Sequence, residues 1–166
     1  MQKIVAYTGT HGTGKTTKVY QAAACLCKEH PQKRIGVLCE TAGQCPYPVN
    51  MESTPVAQSW IFHNHIAREL DMMRHYDILA SDRTCMDAVA YTRVLGFFPL
   101  AAAMEQIAHM HLHHYKRIYF KRMAHNPYWC ENGLRETTSA DFRERVEIEL
   151  IRLYQNAGVM DWITYV

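Results

Sequence analysis

The chain has 166 residues, of which 48% are hydrophobic and 20% charged, and a formal net charge of +2. That length and composition fit one domain with its own core, and the charge is too small to argue by itself for a nucleic-acid partner. Cys25, Cys27, Cys39, Cys45, Cys85 and Cys130 form no C-x-x-C pair, there is no charged-then-apolar leader, and no apolar run nears the ~18 residues that span a bilayer. These features predict a protein of the reducing cytoplasm with no membrane partner.

Lys3 to Thr8 is a short β-branched and aromatic run that predicts a buried central strand. Directly after it stands Gly9-Thr10-His11-Gly12-Thr13-Gly14-Lys15-Thr16, a complete G-x-x-x-x-G-K-T phosphate-binding loop. The motif needs a strand before it and a helix after it, so that backbone N–H groups and the helix N-terminus converge on phosphate oxygens. Lys15 then supplies positive charge to the β/γ-phosphates from an exposed cradle, and the Thr16 hydroxyl is a Mg²⁺ ligand. Residues 9–17, Thr17 included, are the expected nucleotide-binding segment.

A helix is expected from Gly14 to about Lys28, closed by His30-Pro31. Arg34 to Glu40 reads as a second strand ending in a carboxylate, and Gly43, Pro46 and Pro48 mark a loop. Ser53 or Thr54 caps the next helix with Pro55 at its first position. Its expected buried stripe is Val56, Trp60, Ile61, Ala67, Leu70 and Met73. Tyr76 to Asp82 is a third strand with a terminal carboxylate; Asp77, at its start, is structural. Helices are expected over about 84–95 and 100–114, broken by Gly96 and Pro99, followed by a strand at Arg117–Phe120. Residues 123–139 are polar, with Asn126-Pro127 and Asn132-Gly133 turn signals, and read as a loop or lid. A last helix from Thr138 or Ser139 carries the stripe Phe142, Val146, Leu150, Leu153; Gly158 ends it and Trp162–Val166 is a final strand. The alternation predicts an α/β fold: one domain over 1–166 with a parallel five-stranded sheet flanked by helices.

In open parallel sheets ligands sit beyond the carboxyl ends of the strands. Three strands end in the phosphate loop, Glu40 and Asp82, so a phosphate cradle and two carboxylates are expected at one edge. Asp82 takes the position of a Mg²⁺-holding carboxylate, Arg83 grips an anionic group or the transferring phosphoryl, and Glu40 serves as base or binds acceptor hydroxyls. Arg135, ahead of the last helix, and Arg143 and Arg145 within it, are candidates to meet charge on that phosphoryl, Arg135 foremost. Tyr91 and Tyr128 are the expected aromatic members of the pocket. His109, His111, His113 and His114 have chelating spacing but stand at a helix end, where imidazoles suit the dipole; the helix-end reading is preferred.

Asp82-Arg83 with Asp87-Ala88 and Ala90-Tyr91 resembles the D-R-x-x-x-D-x-x-A-Y stretch of thymidylate kinases, and Asp141 to Val146 is similar to the segment after their lid. Glu40-Thr41-Ala42-Gly43, Gln58-Ser59-Trp60-Ile61, Glu69 and Glu131 to Arg135 resemble the ribosylnicotinamide-kinase-like P-loop family. The resemblance implies a P-loop kinase that moves phosphate from ATP (or GTP) with Mg²⁺ to a nucleoside, nucleoside monophosphate or related acceptor. Lys15 and Thr16 would serve the donor, with Asp82 near the acceptor. Where thymidylate kinases have an arginine before the second-strand glutamate and a proline after it, this chain has Cys39-Glu40-Thr41, and the chain is short for that family with a loop over 41–54 rich in proline and polar residues, which implies a reshaped acceptor pocket. An acceptor hydroxyl on a modified base in DNA, a P-loop ATPase or switch, and a homodimer are left open.

Overall fold

A computed structural model describes residues 3–123 and 140–166. Among these, β1 (Ile4–Thr8), β2 (Ile35–Leu38), β3 (Ile78–Asp82), β4 (Tyr115–Phe120) and β5 (Ile163–Tyr165) form one sheet in the order β2-β3-β1-β4-β5. Every neighbouring pair is parallel, as expected where helices α1 (Lys15–Glu29), α2 (Pro55–His75), α3 (Cys85–Val94), α4 (Phe98–His111) and α5 (Ala140–Asn156) join the strands.

Strand alternation divides the core in two. Val5 and Tyr7 of β1, Val37 of β2, Ala80 of β3 and Tyr119 of β4 pack with Val19 and Ala23 of α1. Ile4, Ala6, Leu38, Leu79, Ile118 and Phe120, pointing the other way, join the larger core of α2 to α5. The stripe Phe142, Val146, Leu150 and Leu153 is buried as its period requires. Thr54 caps α2 by accepting from the Ala57 N–H at 3.2 Å, with Pro55 following. Asp77 accepts from Arg34 Nε at 3.4 Å and from its backbone N–H at 2.9 Å, away from the loop-bearing edge.

Three expectations change. Pro99 does not break a helix; it sits in the first turn of α4, where proline's missing N–H leaves no intrahelical bond unmade. The chain leaves α4 through a 3-10 turn at Leu112–His114, and β4 begins at Tyr115 rather than Arg117. The buried face of α2 is not the apolar stripe. Val56 is 58% and Leu70 45% exposed, Ala67 is exposed too, and the inward positions are Ala57, Gln58, Phe62, His65 and Glu69. Ile61 and Met73 of the expected stripe still pack on the core, but a cluster of polar partners shifts the helix's phase, because a hydrogen-bonded polar side chain can be buried at little net cost.

Candidate functional site

The loop after β1 is fixed by backbone geometry. Gly9 has φ 128°, and a Cβ there would stand 2.3 Å from the Lys121 carbonyl oxygen, so β4 closes on the loop as only glycine permits. Gly14, at φ 78°, is the N-cap of α1 and brings no capping side chain, which leaves the first N–H groups of the helix for a ligand. Lys15 is buried, at 5% exposure, contrary to the expected exposed cradle. The loop wraps its side chain, and Nζ donates to the Thr10 carbonyl at 2.6 Å and to Thr13 Oγ1 at 3.2 Å. Burial, reinforced by the nearby Arg83 charge, lowers its pKa to about 7 against the pull of Asp87, Glu40 and Asp82.

At the end of β3, Asp82 turns to the α1 side and accepts from Thr16 Oγ1 at 2.6 Å. Burial raises its pKa, with the Thr16 bond and the Arg83 charge working against that shift. Thr16 and Asp82 thus present adjacent hard oxygen donors, a set that fits Mg²⁺.

Arg83 is held at φ 97°, a conformation that costs a side-chain-bearing residue ~1–3 kcal/mol and persists only where surroundings enforce it. The enforcing contacts are explicit. Nε and Nη2 donate to Glu40 Oε1 at 3.0 and 2.8 Å, while Nη1 donates to the Gly9 carbonyl at 2.7 Å and to Asp87 Oδ1 at 3.1 Å. The guanidinium carbon stands 5.6 Å from the centroid of the Tyr91 ring. Burial opposes the charge, but Tyr91 and the carboxylates outweigh it and raise the pKa further. The arginine expected to grip a phosphoryl therefore ties the ends of β1, β2 and β3 together.

Asp87, whose role the sequence did not signal beyond a motif match, holds the other side of this tie. Its Oδ2 accepts from Thr8 Oγ1 at 2.8 Å and from the Thr84 N–H and hydroxyl at 2.8 and 2.9 Å, closing a capping box on α3. Tyr91, one turn on, receives the His11 N–H at 3.1 Å and pairs with His11 Nδ1 at 2.8 Å. It thereby fixes the phosphate loop to α3.

Beside the loop opens a cavity of about 440 Å³, whose walls include His11, Glu40, Gln58, His65, Arg83 and Tyr91 together with the segment from Thr41 to Asn50. A second recess of about 30 Å³ lies within the phosphate loop, bounded by Lys15, Thr16, Asp82, Glu40 and Arg83. The Glu40–Arg83 pair is common to both and forms the partition between them. Gln58, His65, Asn50 and Tyr47 were missed as wall residues; only the proline-rich character of 41–54 hinted that this segment shapes a pocket. Arg143 is on α5, 4% exposed, and burial lowers its pKa while Tyr91 and Glu147 counter the shift. Arg145 instead donates to the Val94 carbonyl at 3.0 Å. Arg135 and Tyr128 lie outside the described residues.

Beneath the cavity is a second buried cluster, around Glu69. His111 Nε2 is 2.7 Å and His65 Nε2 3.2 Å from its carboxylate, Tyr115 donates at 2.9 Å, and Ser81 at 3.1 Å. His111 thus faces a carboxylate within the fold, which the helix-end reading of the histidine run did not foresee. Burial alone would raise the Glu69 pKa; the His65 charge and the His111 bond prevail and bring it down to about 2.

No protein-family profile and no curated protein matches the sequence. Solved structures do match the fold. A thymidylate kinase from Ehrlichia chaffeensis aligns with a TM-score of 0.67 at 12% identity over 99% of this chain and 92% of that one. A NadR protein solved in complex with NR aligns with a TM-score of 0.72 at 17% identity over 99% of this chain and 45% of that one, so this chain spans under half of it. The five-stranded parallel sheet, its flanking helices and these likenesses together give the chain the P-loop kinase fold.

Proposed function

We propose that this protein transfers the γ-phosphoryl group of ATP to a nucleoside- or nucleotide-like acceptor seated in the 440 Å³ cavity. The supporting observation is the shared wall: Glu40 and Arg83 bound both the phosphate loop's recess and the cavity, which is the adjacency an in-line transfer between two bound molecules requires. The loop's N–H groups and Lys15 hold the donor phosphates. Thr16 and Asp82 would hold Mg²⁺, which when bound neutralises charge on the phosphate oxygens. Arg83 keeps the Glu40 carboxylate at the partition, where it orients the acceptor group. Tyr91 holds the loop against the cavity through His11. Catalysis is then positioning and charge neutralisation, with no covalent step on the protein.

A screen of ATP consumption across nucleosides, their monophosphates, ribosylnicotinamide and DNA with hydroxylated bases tests this reading. Stimulation by one acceptor class is expected. A basal rate that no acceptor raises would favour an ATPase.

A further inference from the structure

Resting on the reading of the cavity as the acceptor site, we infer that the acceptor is a molecule without negative charge that is phosphorylated on a hydroxyl, and that a nucleoside is taken in preference to its own monophosphate. The charge inventory of the wall carries this. Its carboxylates are Glu40 and Asp87, and its one guanidinium, Arg83, is spent on both of them and on the Gly9 carbonyl. The two imidazoles are turned to neighbours: His11 to the Tyr91 hydroxyl and His65 to Glu69. The formal balance among these described wall residues, with histidines neutral, is two carboxylates against one guanidinium, net −1.

A monophosphate carries up to two further negative charges. Placed here it would face Glu40, and among the described wall residues the one guanidinium, Arg83, is already bonded to Glu40 and Asp87; like charges brought together in a partly desolvated site repel strongly. Neither Arg143 nor Arg68 is a wall residue, and Arg68 donates to Thr41 Oγ1 at 3.3 Å.

A neutral molecule meets a different surface. Gln58 is 3% exposed and its amide is oriented on both sides, Nε2 donating to Ser53 Oγ at 2.8 Å and Oε1 accepting from Thr92 Oγ1 at 3.3 Å. An amide fixed in this way offers its remaining hydrogen-bonding capacity in a defined direction. The side chains of Asn50 and Tyr91 add neutral polar groups, and Ile61 and Val49 add apolar wall.

Calorimetric titration separates this inference from the catalytic proposal, because it reads binding and not turnover. The protein, loaded with Mg²⁺ and the non-hydrolysable β,γ-imido analogue of ATP, is titrated with thymidine, deoxycytidine, adenosine and guanosine and with the matching 5′-monophosphates. At least one nucleoside should bind ~10-fold or more tightly than its monophosphate at low salt, and the gap should narrow at high salt as repulsion is screened. In Glu40→Gln the same ratio should fall toward unity, since the variant removes a negative charge and releases part of the guanidinium. Equal or tighter binding of every monophosphate overturns the inference, as does failure of all eight compounds to bind. Should Glu40→Gln misfold, the wild-type ratio and its salt dependence still decide. Nucleoside binding with no phosphoryl transfer from ATP would refute the kinase reading and leave standing only the cavity's preference for a nucleoside over its monophosphate.

Discussion

Asp82 and Glu69 are both buried carboxylates, and β3 connects them: Asp82 points to the α1 side, while Ser81 beside it points to the other face and donates to Glu69. Their surroundings drive them in opposite directions. Asp82 is raised by burial, which the Thr16 hydroxyl and neighbouring charges only partly offset. Glu69 is also desolvated, yet it is lowered to about 2 because the His65 and His111 imidazoles overwhelm that cost; the Tyr115 and Ser81 hydroxyls donate to the same carboxylate. A carboxylate whose lone pairs the protein has saturated belongs to the scaffold. One left under-compensated at the mouth of a phosphate loop is available to a ligand.

The sharpest break in this comparison is Glu69→Leu. It should cost ~3–5 kcal/mol in denaturant unfolding, since His65, His111 and Tyr115 lose a shared buried partner. A loss under ~1 kcal/mol would mean the cluster is not a scaffold element. The same carboxylate predicts an acid limb. Its folded pKa is depressed, so its contribution is fully present above the ordinary value of 4.5 and is lost as pH falls toward about 2. Stability measured across that window should drop in the wild type and drop less in Glu69→Gln.

On the phosphate side the effects fall on turnover. Lys15→Ala should reduce acceptor-dependent phosphoryl transfer ~10²–10³-fold, or about 3–4 kcal/mol of barrier, while the unfolding midpoint stays near the wild type because the buried ammonium is itself costly to desolvate. A folded, fully active variant would refute the loop's assigned role. Asp82→Asn should lower turnover at saturating Mg²⁺ by ~10²-fold and leave stability unchanged or improved, the reverse of Glu69→Leu. If both carboxylate variants unfold the protein equally, the contrast between them fails. The smallest effect belongs to Asp77→Ala. Its partner Arg34 is exposed, so the thermal midpoint should move no more than repeat scans scatter.

Which parts of this were legible in sequence follows from how local each signal is. The phosphate loop, the strands around it and the terminal positions of Glu40 and Asp82 are written in contiguous residues. So is the α5 stripe, where apolar spacing and burial coincide. The α2 face is misread because Gln58, His65 and Glu69 point inward while Val56 and Leu70 face solvent; hydropathy cannot see that polar residues will find partners. Those partners, His111 and Tyr115, come from the end of α4 and the start of β4, and no local pattern joins them to α2. Arg83 stands at the expected edge, but its protein partners are illegible in sequence, since only the fold brings Glu40, Asp87 and the Gly9 carbonyl around one guanidinium. Lys15 was assigned to the phosphates, but its burial depends on how the loop closes over it.

The central claim is that a donor in the phosphate loop and an acceptor in the adjoining cavity exchange a phosphoryl group across the Glu40–Arg83 partition. It is tested most directly by following the label from γ-phosphate-labelled ATP with an acceptor identified by the screen. Label should appear covalently on the acceptor, and Ala88→Trp, at a residue that lines the cavity but not the phosphate-loop recess, should abolish this transfer while nucleotide binding persists. Label released only as inorganic phosphate, at a rate the same with and without acceptor and untouched by Ala88→Trp, would contradict it.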